Sequence, residues 1–204
     1  MRKMLKDVQV GLVLLLTLTA GTPVFGQTPP TPAPAATPTP PPAAEARLTE
    51  ATRADTGSMD AIIKALYDVI SGPAGKKRDW DRFQALFIPD ARLIPTGRTP
   101  QGEARIRPTN PAGYIERSSG ALEQGFFERE IARRAERYGN IAHVFSTYES
   151  RRSLDDPTPF SRGINSIQVY FDGKRWWIVT VFWDSETPAN PLPAEYLTNG
   201  PERK

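Results

Sequence analysis

Apolar positions along the chain change their spacing twice, and each change predicts an element. In SMDAIIKALYDVISG, Met59, Ile62, Ile63, Leu66 and Ile70 recur at helical spacing, with Ser58 placed to cap and Gly72-Pro73 to stop, which predicts an amphipathic helix. A short second helix follows in RDWDRFQALF, with Asp79 as cap and Trp80, Phe83 and Phe87 on one side. ARLIP and ARIRP predict short strands, each ended by a proline that confines it to a sheet edge or a strand end. Asn110 followed by Pro111 opens a third helix, PAGYIERSSGALEQG, with Tyr114, Ser118 and Leu122 on one side as the wall or lid of a cavity. Beyond Phe126 the pattern becomes strand, turn, strand: FFEREIARRAERY, IAHVFSTYESRR, GINSIQVYF and KRWWIVTVFW, with hairpin signals at Gly139-Asn140 and Asp172-Gly173. The first of these runs is rich in helix formers, but the hairpin after it needs a partner, so a strand is expected. Helices first and a four-strand antiparallel meander last predict an α+β fold, with three helices packed on the concave face of a curved sheet.

This order of elements, ending in DGKRWWIVTVFW with Asp172-Gly173, Trp176 and Ile178, resembles the nuclear transport factor 2-like, or SnoaL-like, superfamily. The resemblance spans about Ser58 to Trp183 and rests on architecture more than on motifs. It implies a cone-shaped fold with a pocket between helices and sheet, and frequent dimerisation. Its members include isomerases, dehydratases, hydrolases, polyketide cyclases and non-catalytic binders, so activity stays open.

The run RWWIVTVFW carries three of the chain's four tryptophans. A two-residue turn at Asp172-Gly173 would set Phe171 opposite Lys174, Val169 opposite Trp176, Ile167 opposite Ile178 and Asn165 opposite Thr180. That face is apolar apart from Asn165 and Thr180, which either satisfy each other or face a ligand. The other face, with Tyr170, Trp177, Val179, Val181 and Trp183, has the composition of a homodimer interface.

The ends add compartment. Arg2, Lys3 and Lys6 before the apolar run GLVLLLTL form a secretory signal pattern, too short to span a membrane and broken by Gly21 and Pro23. Cleavage is expected after Gly26, leaving a periplasmic or secreted product without a transmembrane anchor. Residues 27–47, with TPPTPAPAATPTPPPAAEA at their heart, form a proline-rich tether too poor in large apolar side chains to fold. Residues 48–204 then make one domain, whose NPLPAEYL segment wraps back onto it. The formal net charge of +3 includes three basic and one acidic residue of the leader, so the remainder is near neutral and a nucleic-acid partner is not expected. With no cysteine and one histidine, disulfides, thiol nucleophiles and ordinary zinc sites are excluded, and no cofactor motif is present.

His143 is the first general-base candidate, with Glu136 opposite it across the Gly139-Asn140 hairpin. Ala142 and Val144 alternate with it, and if they face the core His143 faces outward. The same register sets Glu130 opposite Glu149, a like-charge pair that would raise one pKa in a dry site. Glu128 is a further carboxylate on that strand, and solvated arginines beside these glutamates would make them an ordinary wet face. Trp80, Tyr114, Phe127 and Tyr148 are expected to line an aromatic pocket with Asn165 and Thr180, suited to a small apolar ligand. Three functions remain: a small-molecule binder, an acid/base isomerase, dehydratase or cyclase, and an envelope-associated scaffold.

Overall fold

The computed structural model describes residues 50–99, 101–122 and 124–200. The expected leader and the whole of the expected tether lie outside these residues. Among the described residues there are four α-helices: α1 (Glu50–Thr56), α2 (Met59–Ile70), α3 (Trp80–Gln84) and α4 (Pro111–Leu122). The strands are β1 (Phe87–Arg98), β2 (Ala104–Ile106), β3 (Phe127–Tyr138), β4 (Ile141–Arg151), β5 (Ser161–Phe171) and β6 (Trp176–Ser185). The three expected helices start as their caps dictate: Ser58 Oγ accepts from Ala61 N at 3.0 Å, Asp79 Oδ1 from Arg82 N at 2.9 Å, and Asn110 Oδ1 from Gly113 N at 2.9 Å. Helix α1 carries no comparable signal and was not anticipated.

One open sheet runs in the order β2-β1-β6-β5-β4-β3, antiparallel except where β1 meets β6 in parallel. Helix α2 packs on β3 and β6 and α4 on β1, so the helices share one face of the sheet. This is the α+β cone layout the resemblance implies. Two expectations about β1 need correction. It begins at Phe87, which belongs to the strand rather than to α3. It is also interior, running through Pro95 between β2 and β6, and the Pro95 carbonyl accepts from Arg107 N at 3.0 Å.

Register departs from simple counting at two bulges. On β3, Glu136 pairs with His143 as expected, but Ile131 is skipped, so Glu130 faces Tyr148 and Arg129 faces Glu149. The Glu130–Glu149 pair therefore does not form. On β6 the turn holds Asp172 to Arg175, Phe171 pairs with Trp176, and a bulge at Val179 shifts every later partner by one. Asn165 thus faces Trp183, and Thr180 faces Gln168 on the opposite side of the sheet. Strand side chains alternate with period two, so one extra residue exchanges the faces beyond it. Val181, 5% exposed, joins the core and Trp183 packs against it, so neither belongs to the outer face expected of them.

The core lies between α2, α3 and the sheet, centred on Ile62, Ile63, Phe83, Leu86, Val144, Ile167 and Ile178. At the ends of α2 and α4, buried Arg78 ties three carbonyls together: Nε donates to Ile70 O at 2.8 Å, and Nη2 to Gly72 O at 2.7 Å and Leu122 O at 3.1 Å. On the outer face the C-terminal segment does wrap back. Thr147 Oγ1 donates to Tyr196 O at 2.6 Å, the Tyr196 ring lies 5.2 Å from that of Phe145, and Gly200 N donates to Arg133 O.

Candidate functional site

A cavity of about 230 Å³ opens between the helices and the sheet. Leu66 and Ile70 of α2, Phe83, Tyr114 and Phe126 supply its helix side and rim, and Leu93, Tyr148, Val181 and Trp183 its sheet side. Phe83 stacks on Tyr114 at 5.4 Å between ring centroids, and Tyr114 meets Trp183 edge-on at 6.4 Å. Polar atoms enter this apolar wall at few points, chiefly Glu128, Asn165 and the hydroxyls of Ser150, Ser161 and Ser185. Such a lining fits a small, mostly apolar molecule oriented by a few polar contacts.

Glu128 is the chemically distinctive group. It sits directly across from Ser150 on β4, and the bulge at Ile131 gives it this partner. Ser150 Oγ donates to Glu128 Oε2 at 2.8 Å, and Asn165 Nδ2 approaches Oε1 at 3.4 Å. Burial pushes the carboxyl pKa up to about 7, outweighing these two hydrogen bonds. Among the described residues, none that lines the cavity is a lysine, arginine or histidine. Burial, with Glu128 adding to it, also raises the phenols of Tyr67 and Tyr114. Tyr148, raised by burial, shares a hydrogen bond of 3.0 Å with Ser185.

A polar chain leads away from the cavity. Asn165 Nδ2 donates to the buried Tyr67 hydroxyl at 3.0 Å, Tyr67 meets Ser146 Oγ at 2.7 Å, and Ser146 donates to Glu130. Glu130 in turn accepts from Arg133 Nε at 2.8 Å, and Arg133 pairs with Asp60. The amide, expected opposite Thr180, instead meets Tyr67 across the core and Glu128 on β3.

The structure places Tyr114, Tyr148 and Asn165 on the cavity wall and the other three expected lining residues elsewhere. Trp80 packs edge-on against Phe83 at 5.7 Å, Phe126 takes the place given to Phe127, and Thr180 is on the far face of the sheet. The catalytic candidates do not converge. His143 is on the outer face, its Nε2 2.8 Å from Ser166 Oγ. Glu149 is also outward, its carboxylate between Arg129 at 2.5 Å and Arg151; burial would raise its pKa, but the hydrogen bonds from Arg151 and Arg129 hold it low. Glu130 lies within the polar chain, outside the cavity wall. Glu128, expected only as a further carboxylate of its strand, and Trp183, expected at the dimer interface, do line it, and the two bulges that put them there leave no mark on the local sequence. Among the described residues no three His, Cys, Asp or Glu are grouped as metal ligands, and no helix is long and apolar enough to cross a membrane.

No protein-family model matches the chain, and no curated protein does. Among solved structures it is similar to a protein of unknown function with a cystatin-like fold from Nostoc punctiforme, at 15% identity and TM-score 0.47, over 66% of this chain and 92% of that one. It is also similar to an NTF-2-like protein of unknown function from Silicibacter pomeroyi, at 15% identity and TM-score 0.43, covering 64% and 94%. The yeast Ubp3-associated protein Bre5 shares 11% identity at TM-score 0.46, covering 63% and 93%. These are likenesses of chain path, and a shared fold leaves activity open.

Proposed function

We propose that the cavity binds a small, largely apolar molecule carrying one hydrogen-bonding group, which docks at Glu128 and Asn165. The observation that supports this is the wall itself: aromatic and aliphatic surface around one carboxyl and one amide, both already oriented by neighbours. Calorimetric titration of the purified protein with 1-octanol and benzyl alcohol tests it. Saturable one-to-one binding is expected, weakened about tenfold in Asn165→Leu by the loss of one buried polar contact. No saturable heat from either alcohol overturns it.

A second reading, acid/base catalysis in the same cavity, is favoured by the carboxyl poised near neutrality. Deuterium incorporation next to the carbonyl of a small cyclic ketone, lost in Glu128→Gln, is its expected signature; exchange at the buffer rate refutes it.

The proposal places this domain outside the cytoplasm, cut from its leader after Gly26 and carried on the proline-rich tether. N-terminal sequencing of the exported chain should begin at Gln27. Homodimerisation belongs to the proposal too, through Tyr170, Trp177 and Val179 together with Phe182, which is 41% exposed. Sedimentation at micromolar concentration should give twice the monomer mass, and a monomer refutes it.

A further inference from the structure

Beside the first cavity lies a second, of about 360 Å³, whose walls are cationic. Arg98 of β1, Arg105 and Arg107 in and after β2, and Arg117 of α4 all line it. Local geometry explains the convergence. Arg105 and Arg107 are two residues apart on an extended segment and share a face. Tyr114, Arg117 and Ser118 fall at helical i, i+3, i+4 spacing and share one side of α4. Five arginines elsewhere, Arg82, Arg129, Arg133, Arg151 and Arg162, have carboxylate partners. Among the described residues no carboxylate forms an ion pair with Arg98, Arg105, Arg107 or Arg117. Four guanidinium groups lining one concavity without counter-charge focus a positive potential there, and each offers the planar fork that suits carboxylate and phosphate oxygens.

Tyr114 and Trp183 belong to the walls of both cavities. We propose that the two form one amphiphilic site, which takes a molecule with an apolar body in the inner cavity and an anionic head, carboxylate or phosphate, among the four arginines. This rests on the inner cavity binding an apolar molecule, and it adds the charge and class of that molecule.

The test is calorimetric titration of the full-length chain, at low salt, with octanoate, octyl phosphate, 1-octanol and inorganic phosphate. At least one anionic amphiphile is expected to bind about tenfold or more tightly than 1-octanol, as charge-assisted hydrogen bonds require. The tighter of octanoate and octyl phosphate identifies the head. The advantage should vanish in Arg105→Gln/Arg107→Gln, both exposed positions, while 1-octanol binding is unchanged. Equal affinity for 1-octanol and both anions overturns the inference and leaves the apolar cavity intact. An anion preference that survives the double substitution also overturns it. Inorganic phosphate binding as tightly as octyl phosphate, with no binding of 1-octanol, overturns the inference together with the apolar reading.

Discussion

Replacing Glu128 with glutamine should stabilise the protein at alkaline pH relative to acid pH. Burial moves this carboxyl from an ordinary value of 4.5 to about 7. Below the lower value both the folded and the unfolded chain hold the proton, so the group contributes nothing. Between the two values only the folded chain holds it, so stability falls as pH rises, and above about 7 the full cost of a buried anion is present. At roughly 1.4 kcal/mol per pKa unit, that cost is about 3 kcal/mol. Glutamine keeps the shape, and its amide oxygen can still accept from Ser150, while its charge is gone at every pH. Any cost of turning the new amide toward Asn165 is the same at all pH values and cancels in the comparison. Urea unfolding of both proteins from pH 4 to pH 9 is the assay. The difference in unfolding free energy should grow through the window from 4.5 to 7 and level off. A difference that does not change with pH would refute the assignment of a proton to Glu128.

Arg78→Met should cost about 3 kcal/mol or more in urea unfolding, since it strands the carbonyls of Ile70, Gly72 and Leu122 at a buried junction; a loss under about 1 kcal/mol would show that water satisfies them. Gly163→Ala should cost about 1–3 kcal/mol and weaken cavity binding, because the new methyl would lie 2.3 Å from the Asp184 carbonyl oxygen and 2.6 Å from the Tyr148 hydroxyl. Unchanged stability with unchanged binding would contradict this packing. Deleting Val179, the one β6 residue without a partner on β5, should leave every later pairing in place and keep Val181 and Trp183 inward, with a native-like near-ultraviolet circular dichroism spectrum. Loss of that spectrum with gain of hydrophobic dye binding would mean that the later part of β6 does not keep its register without Val179.

Much of the architecture was legible because local signals agreed. The Ser58, Asp79 and Asn110 caps, the periodicity of α2 and the Gly139-Asn140 turn each point to the element observed. The cavity was legible only in part. Tyr148 and Asn165 follow from alternation on strands whose apolar and polar positions differ. On β6 every position from Trp176 to Val179 is apolar, so alternation carries no information and the bulge at Val179 passes unseen. That one residue accounts for the exchange of Thr180 with Trp183 between the expected and the actual cavity wall. Ile131 does the same on β3, where Glu128, rather than an opposed Glu130 and Glu149, becomes the carboxyl of the cavity wall. His143 was attractive for its chemistry alone; its smaller neighbours Ala142 and Val144 take the core face and leave it the other.

The parallel pairing of β1 with β6 has a kinetic consequence. The last strand of the sheet in chain order lies in its middle, with Phe87 beside Ile178 on one side and Phe171 beside Trp176 on the other. Until β6 is in place, β1 and β2 have no contact with the meander through the sheet, and the core beneath α2 lacks Ile178 and Val181. Contacts closing a loop of this length cost chain entropy before they return any packing, so folding belongs in the slow, high-contact-order class of milliseconds to seconds. Assembly then hinges on one late insertion, and a chain interrupted before Trp176 has no smaller version of this fold to fall back on.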